Sequence, residues 1–364
     1  MNVPKIAREG LRSVGKLFSP KGAQKDTLEA LWPDRGGSCI RNRGKSWLEA
    51  QVDLSIIIPC YNNAPYLHGC LDSVLGQKTA YSFEAVVIDD GSTDETPEIL
   101  KAYAANPRVR LLRQENQGHS GARNAGLSVC RGKYLLFHDS DYTLLPGSIQ
   151  ALLDCAFQND ADIAIGGYVC KDAAGNVTPG KTYSAGPVTD RECISGMTCG
   201  KAFRRSLWAK LQFPLCYWYE DSVISQILLP MARRIYAIDA PVFAYLLNPL
   251  GVSAASQGRP KSLESLYVTR RLLKEREFFG LRYDQDAYTH FLHMVLLTHH
   301  RTRLLPKDVP YAVFLCQRQL QSTYFSGVSA PERYASLAES LEKGRFRNYL
   351  WLCETLWLKN RMGG

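Results

Sequence analysis

Paired carboxylates are the residues of this 364-residue sequence that are best suited to chemistry, and the clearest pair is Asp139-Ser140-Asp141. Carboxylates at i and i+2 of a turn can both face one hard divalent cation. Such a cation would neutralise a diphosphate and support its departure as a leaving group. Most isolated Asp-x-Asp sequences are solvated turns, but this one directly follows the apolar run Tyr134–His138. We therefore favour a cation site.

Two further polar segments contain residues that suit a nucleotide or a phosphate. Asp89–Asp94 (DDGSTD) has the composition of a tight turn. Two interpretations fit this segment equally well. One is a carboxylate that accepts hydrogen bonds from a base or ribose, and the other is a plain strand-to-helix turn with a helix cap. Asn116–Asn124 (NQGHSGARN) places amides, small residues and Arg123 at a helix start, which suits a phosphate-bearing ligand. An ordinary loop and helix cap explains that segment about as well.

A fourth cluster, Glu220-Asp221, directly follows the aromatic residues Tyr217-Trp218-Tyr219. Carboxylates beside aromatic rings can hold and deprotonate sugar hydroxyls. On the local sequence alone, an acidic pair that complements a helix dipole is the favoured interpretation.

Several classes of site are excluded by motifs that the sequence lacks. There is no GxGxxG after a strand and no GxxxxGK[ST], which excludes the dinucleotide fingerprint and the P-loop. The 11 cysteines include no CxxC pair, which argues against a zinc ribbon, a thioredoxin-type site or a disulfide framework. The N-terminus lacks the apolar core of a signal peptide. We therefore expect a reducing, cytoplasmic compartment.

Strands and helices must position these clusters, and the sequence predicts them in alternation. The predicted strands are Leu54–Ile58 (ended by Pro59), Phe83–Ile88, Arg108–Leu112, Lys133–Phe137 and Asp162–Gly166. The predicted helices are Tyr66–Gln77, one capped by Thr93 or Asp94, Gly121–Val129 and Leu152–Phe157. This alternation indicates a parallel α/β sheet, whose ligands bind outside the carboxyl ends of the strands. Pro59–Asn62, Asp89–Ser92 and Asp139–Asp141 should therefore share one cleft.

The net charge of +9 lies in the two flanks of the chain. It divides into +5 for residues 1–50, −3 for 51–255 and +7 for 256–364. Nucleic-acid binding is disfavoured, because the basic residues are not interleaved with stacking aromatics on a recognisable module. The flanks suit an anionic membrane surface or a lipid-diphosphate acceptor instead.

Three parts of the chain are predicted. They are a basic arm at 1–50, an α/β domain at 51–258 and a mainly helical region at 259–364, with helices at Leu263–Phe279 and Asn348–Leu358. Within the arm, Pro4–Phe18 suits an amphipathic helix on a membrane surface, and equally a helix packed on the core or a frayed arm.

Taken together, these segments resemble the family 2 glycosyltransferases, which have a GT-A fold. The resemblance covers roughly residues 52–255. Five motifs in family order carry it: LSIIIPCYNN (54–63), EAVVIDDGSTD (84–94), ENQGHSGARNAGL (115–127), KYLLFHDSDYTLLPG (133–147) and WYEDSVISQILL (218–229).

The resemblance implies an inverting, Mn²⁺- or Mg²⁺-assisted transfer from a nucleotide-diphospho-sugar, with a UDP-sugar expected, to a hydroxyl of a glycan or lipid-linked glycan. Asp139 and Asp141 would hold the metal, with Asp141 the firmer ligand, and Asp90 would bind the base. Asp221 would be the general base, and Glu220 would orient the acceptor or that base. The residues implied to bind the nucleotide-sugar are Pro59, Tyr61, Asn62, Asp90, Gly91, Ser92, Arg123, Asn124, Asp139 and Ser140.

The sequence departs from the family pattern at three places. His138 stands where an apolar residue is usual, and Tyr142 replaces a common acidic residue. The segment YLLNPLGVSAAS (245–256) lacks an arginine expected to bind the diphosphate, which Arg259 or Lys261 would have to replace. The alternative function is a catalytically silent GT-A-like scaffold that binds nucleotide-sugar or glycan. A sugar-nucleotide pyrophosphorylase is disfavoured, since its Gly-rich N-terminal loop is missing.

Overall fold

The computed structural model describes residues 25–41, 49–247 and 256–362. The helix predicted at Pro4–Phe18 lies outside the described residues, as does most of 245–256. The described residues group into two compact units. One contains 36–41, 49–247 and 274–281, and the other contains 25–35, 256–273 and 282–362. The three-part division of the chain stays a prediction.

One sheet organises the first unit, with the strand order β3-β2-β1-β4-β9-β6-β10-β5, while β7 pairs with β6 and β8 with β10. The strands are β1 Val52–Cys60, β2 Phe83–Asp89, β3 Val109–Arg113, β4 Gly132–Phe137, β5 Thr143–Leu144, β6 Ile163–Lys171, β7 Val177–Pro179, β8 Gly186–Pro187, β9 Lys201–Arg204 and β10 Ile235–Leu246. The long strands pair in parallel, as predicted. Strand β9 runs antiparallel between β4 and β6.

Helices cover the sheet on both faces, which explains why the Leu54–Ile58 part of β1 is largely apolar and buried. The α-helices of the described residues are α1 Lys25–Leu31, α2 Ala64–Leu75, α3 Thr96–Tyr103, α4 Gly118–Val129, α5 Ser148–Gln158, α6 Leu229–Met231, α7 Glu264–Glu275, α8 Gln285–Thr302, α9 Val309–Tyr324, α10 Ala335–Glu342 and α11 Phe346–Met362. Ile56 and Ile58 join a core cluster with the buried face of α2. Ile57 points to the other face, where it lies against Gly126 of α4.

The prediction that Pro59 ends the first strand is wrong, because β1 continues to Cys60. The prolyl nitrogen lies on the β4 side of the strand. Strand β4 ends at Phe137, opposite Ile57, so the missing N–H leaves no ladder bond unmade. The helix predicted after Asp94 begins at Thr96, and the Asp94 carboxylate accepts the Thr96 N–H without being the N-cap residue.

Helices α8 to α11 belong to the second unit, which confirms the predicted helical C-terminal region. Stacked rings of Tyr288, Phe291 and Phe325 contribute to its core. Gln317 on α9 accepts a hydrogen bond of 2.7 Å from the Tyr349 hydroxyl on α11. Among the described residues, no helix is both long and apolar enough to cross a membrane.

Candidate active site

Asn62 and Asn63 connect the ends of three strands. Asn62 has a positive φ of 48°, a conformation that asparagine tolerates better than most residues. Its Oδ1 accepts the Thr93 N–H at 2.8 Å, and its own N–H donates to Ser92 Oγ at 3.0 Å. Asn63 Nδ2 donates to Ser140 Oγ at 2.7 Å. The loops that follow β1, β2 and β4 therefore meet, as the strand-end rule predicted.

Asp90 joins the end of β2 to the start of α4. Its buried Oδ1 accepts the Gln117 N–H at 2.9 Å and the Gln114 Nε2–H at 2.7 Å. Its Oδ2 has no hydrogen-bond partner within 25–41, 49–247 and 256–362, so this oxygen is available to a ligand donor. Gly91 has a φ of 79°, and an added Cβ would lie 3.0 Å from the Asn116 nitrogen. A side chain there would be strained both by the positive φ and by this close contact.

Arg123 bridges two carboxylate clusters that lie far apart in the sequence. Its Nη2 donates to Asp139 Oδ1 at 2.8 Å, and its Nη1 donates to Glu220 Oε1. The side chain is 5% exposed. Burial alone would lower the pKa of Arg123, but Asp139 and then Glu220 outweigh that effect and raise it. The guanidinium is therefore a permanent cation that holds the two clusters at one site.

The pKa values of Asp139 and Asp141 are shifted in opposite directions. Burial alone would raise the pKa of Asp139, but Arg123 holds it below its usual range, and the nearby His119 adds to this effect. Burial and then the charge of Asp139 raise the pKa of Asp141 to about 7. The Asp141 carboxylate has no partner side chain within the described residues. A divalent cation fits such a pair, because its charge would stabilise the ionised forms and its preferred ligands are carboxylate oxygens.

The two departures beside this pair have structural roles. His138 is buried, and burial lowers its pKa to about 4, so the ring stays neutral and its Nε2–H faces the Tyr142 carbonyl at 3.2 Å. The Tyr142 ring stacks on Phe243 and lies against Tyr245. Neither residue adds a charge to the site.

The segment before Glu220-Asp221 is fixed to α4. Asn124 Nδ2 donates to the Phe213 carbonyl at 2.8 Å, and Asn124 Oδ1 accepts the Phe213 N–H at 2.8 Å. Ser120 Oγ donates to the Pro214 carbonyl at 2.7 Å. The Asn124 amide is thus occupied by the backbone, and its role in donor binding stays a prediction. Asp221 follows in a half-buried position.

The structure places other predicted donor residues around this centre and adds some that the sequence analysis missed. Pro59 is the residue before Cys60, the last residue of β1, and the Tyr61 ring that follows is 49% exposed. Asn63, Gln114 and Gln117 were missed, although all three lie within or next to the quoted motifs. Lys201 was also missed; burial lowers its pKa to about 8, while charges that include Asp221 oppose that shift. No local pattern identifies it, because the four-residue strand β9 (KAFR) also contains Arg204.

Known proteins are similar to this chain in sequence and in fold. Residues 55–207 match the profile of Glycosyl transferase family 2. The uncharacterized glycosyltransferase YibD of Escherichia coli K12 is 45% identical over 112 residues, which are 30% of this chain and 32% of YibD. Glycosyltransferase GlyA of Streptococcus pneumoniae serotype 4 is 29% identical over 215 residues, which are 54% of this chain and 30% of GlyA. The chain spans about a third of the length of these curated relatives.

A solved structure confirms the fold class. The structure of S. aureus TarS residues 1–349 in complex with UDP-GlcNAc is similar to this chain with a TM-score of 0.67. The similarity covers 85% of this chain and 92% of the TarS fragment at 19% sequence identity. At that identity the comparison establishes the GT-A-type fold, a mostly parallel sheet with flanking helices and a helical C-terminal region.

Proposed function

The chain carries a family 2 glycosyltransferase domain at residues 55–207, and from this premise we propose that it is an active glycosyltransferase. It transfers a sugar, with inversion, from a nucleotide-diphospho-sugar to a hydroxyl of a glycan or a lipid-linked glycan. The observation that carries the proposal is the Arg123 bridge between Asp139 and Glu220. It places carboxylates suited to a metal–diphosphate group and carboxylates suited to an acceptor at one centre.

The donor side is built from the strand ends. The available Oδ2 of Asp90 is suited to a base N–H, and the exposed ring of Tyr61 is suited to stacking beside it. Asp141 and Asp139 would hold Mn²⁺ or Mg²⁺, which when bound neutralises the charge on a leaving diphosphate. Within the described residues no third His, Cys, Asp or Glu joins them, so donor oxygens and water would complete the ligand set. The UDP-GlcNAc complex of TarS supports a UDP-sugar as donor.

The acceptor side is built from Glu220 and Asp221. The acceptor oxygen forms the new bond to the anomeric carbon as the bond to the diphosphate oxygen breaks, and its proton passes to Asp221. Inversion requires this base on the face opposite the leaving group. Glu220 is buried and paired with Arg123, so it serves to orient the acceptor or Asp221.

We further propose a cytoplasmic location at the inner face of the membrane. The charges of +5 on residues 1–50 and +7 on 256–364 support contact with an anionic membrane or a lipid-diphosphate acceptor. The test is binding of the full chain to vesicles with and without anionic lipid. We expect binding that requires anionic lipid and weakens with salt. Binding that is insensitive to salt, or no binding, would contradict this location.

A donor screen tests the proposed reaction. UDP-, GDP- and dTDP-sugars are incubated with the full chain and Mn²⁺ or Mg²⁺, with and without EDTA, and nucleotide release is measured. We expect release from UDP-sugars that EDTA abolishes. Turnover that persists in EDTA would overturn the role of Asp141. Donor binding without turnover under any condition would favour the alternative, a silent scaffold.

A further inference from the structure

Residues 36–41, which we call the strap, pair with the segment that leads into the acceptor-side carboxylates. The Gly37 N–H donates to the Leu215 carbonyl at 2.9 Å, and the Gln212 N–H donates to the Cys39 carbonyl at 2.9 Å. Ile40 forms an antiparallel bridge with Leu211. The strap thus runs antiparallel to residues 210–215. Its last backbone hydrogen bond is to Leu215, five residues before Glu220.

Gly36 fits the strap against Tyr217. A Cβ at position 36 would lie 1.7 Å from Tyr217 Cζ and 2.2 Å from its hydroxyl oxygen. These distances are far below any van der Waals contact, so any side chain at position 36 requires the Tyr217 ring to move. Tyr217 is buried and has little room to do so. At Gly37 the nearest atom to an added Cβ is Leu215 Cβ at 3.3 Å, a contact that a small shift relieves.

The strap is itself fixed within the same compact unit. The Cys39 N–H donates to Glu275 Oε2 at 2.8 Å, and Cys39 is fully buried. On its other side, the 210–217 segment is held by the bonds that Ser120 and Asn124 make to Pro214 and Phe213. The segment therefore has anchors on two sides, and the strap supplies one of them.

We propose that the strap positions Glu220 and Asp221 for the transfer, with Gly36 as the positioning residue that acts through Tyr217. This inference rests on the proposed role of Asp221 as general base. A shift of Tyr217 displaces the turn that follows it, moving Glu220 away from Arg123 and Asp221 away from the acceptor hydroxyl. The loops after β1, β2 and β4 belong neither to the strap nor to residues 210–217, and Asp139 keeps its own hydrogen bond to Arg123 Nη2, so the donor side keeps its geometry. The strap therefore acts on the chemical step and the acceptor, and leaves donor binding intact.

The test compares three glycine-to-alanine variants of the full chain. Gly36→Ala is expected to lower kcat on the order of 10²-fold, the cost of a displacement of about 1 Å, with KM for the donor unchanged. Gly37→Ala should cost less. Gly69→Ala is the matched control, because nothing lies within 4 Å of its added Cβ, and its kcat should match the wild type. Equal kcat values for Gly36→Ala and Gly69→Ala would overturn the proposal.

A double-mutant cycle separates positioning from general loss of structure. In a Tyr217→Ala background the ring is absent, so adding Gly36→Ala should change kcat by less than about twofold. An equal loss in both backgrounds would contradict the proposal, even where the single variant is poorly folded. Amide hydrogen exchange supplies a readout that needs no activity. Gly36→Ala should speed exchange across 210–221 relative to Gly69→Ala, and unchanged exchange would overturn the strap's role whether or not the wild type transfers sugar.

Discussion

Two carboxylate clusters at opposite ends of the sheet differ in how fully their oxygens are paired. At the amino ends of the strands, Glu84 accepts from Ser55 Oγ at 2.6 Å, from the Arg131 N–H at 2.8 Å and from Arg131 Nε at 2.8 Å. Burial alone would raise the pKa of Glu84, but these hydrogen bonds lower it. At the carboxyl ends, Asp141 has no partner side chain within the described residues, and burial raises its pKa to about 7.

The difference separates a structural cluster from the cluster that we propose to be functional. A buried carboxylate with every oxygen paired contributes to the folded state, and replacing it leaves its partners unsatisfied. A partly buried carboxylate without a partner is costly in the free protein, and that cost is recovered when a cation binds. Arg123 connects the two kinds of carboxylate at the carboxyl ends, since it pairs with both Asp139 and Glu220. Four predictions test this distinction.

Asp141→Asn should have the largest effect on activity and little effect on folding. Loss of the metal-binding charge removes several kcal/mol of transition-state stabilisation, on the order of a 10³-fold loss of turnover. The melting temperature in EDTA should be no lower than that of the wild type, because an uncompensated carboxylate is removed. Nucleotide release and thermal melting measure the two effects. Full turnover, or a clear drop in melting temperature, would show that the carboxylate cluster at the carboxyl ends of the strands is structural too.

Glu84→Ala should show the reverse pattern. Breaking this buried cluster should lower the free energy of unfolding by about 3 kcal/mol, at the low end for buried pairs because Arg131 is 39% exposed. Urea unfolding at pH 7 measures the loss. The folded fraction should keep wild-type kcat, since Glu84 lies at the other end of the strands from the site. A loss of kcat without a loss of stability would contradict the comparison.

The sequence predicts the long, buried strands of the sheet better than its short or irregular strands. Runs such as Leu54–Ile58 are recognisable because helices cover both faces of their strands. Strands β5, β7 and β8 have only two or three residues each, too few to show a period. Strand β10 contains Pro241, and its register against β6 shifts on either side of that residue. These elements owe their pairing to tertiary contacts that no local pattern records.

The candidate site was likewise only partly predictable from the sequence. That the clusters after β1, β2 and β4 meet was predictable, because the carboxyl ends of parallel strands share one edge. The bridge from Arg123 to Glu220 was not, because it joins residues 97 positions apart. The strap was not predictable either, since the fit of Gly36 to the Tyr217 ring depends on a close approach between distant segments. For residues 1–50 the sequence analysis gave a basic charge and a candidate helix at Pro4–Phe18, and neither concerns residues 36–41.

An arginine-to-lysine substitution at each end of the sheet further tests the comparison between the two carboxylate clusters. Arg123→Lys loses the planar fork that reaches Asp139 and Glu220 at once. We expect kcat to fall on the order of 10²-fold through misplaced carboxylates, with a smaller change in stability. Arg131→Lys is the matched control, and its kcat should match the wild type. If both lysine variants lose kcat equally, the bridge has no special role in the site.

The smallest effect is a difference in how stability depends on pH. Because the folded pKa of Glu84 lies below its unfolded value of 4.5, its contribution is present above pH 4.5 and is lost as pH falls through the folded pKa. The stability gap between wild type and Glu84→Gln should therefore be constant from pH 7 to about 5 and narrow below that, in urea titrations at each pH. Glu98→Gln, which removes an exposed pair with Lys101, should show a much smaller gap because solvent screens that pair. A Glu84→Gln gap that widens toward acid would mean that Glu84 is not held ionised, and the distinction between the two ends of the sheet would then fail.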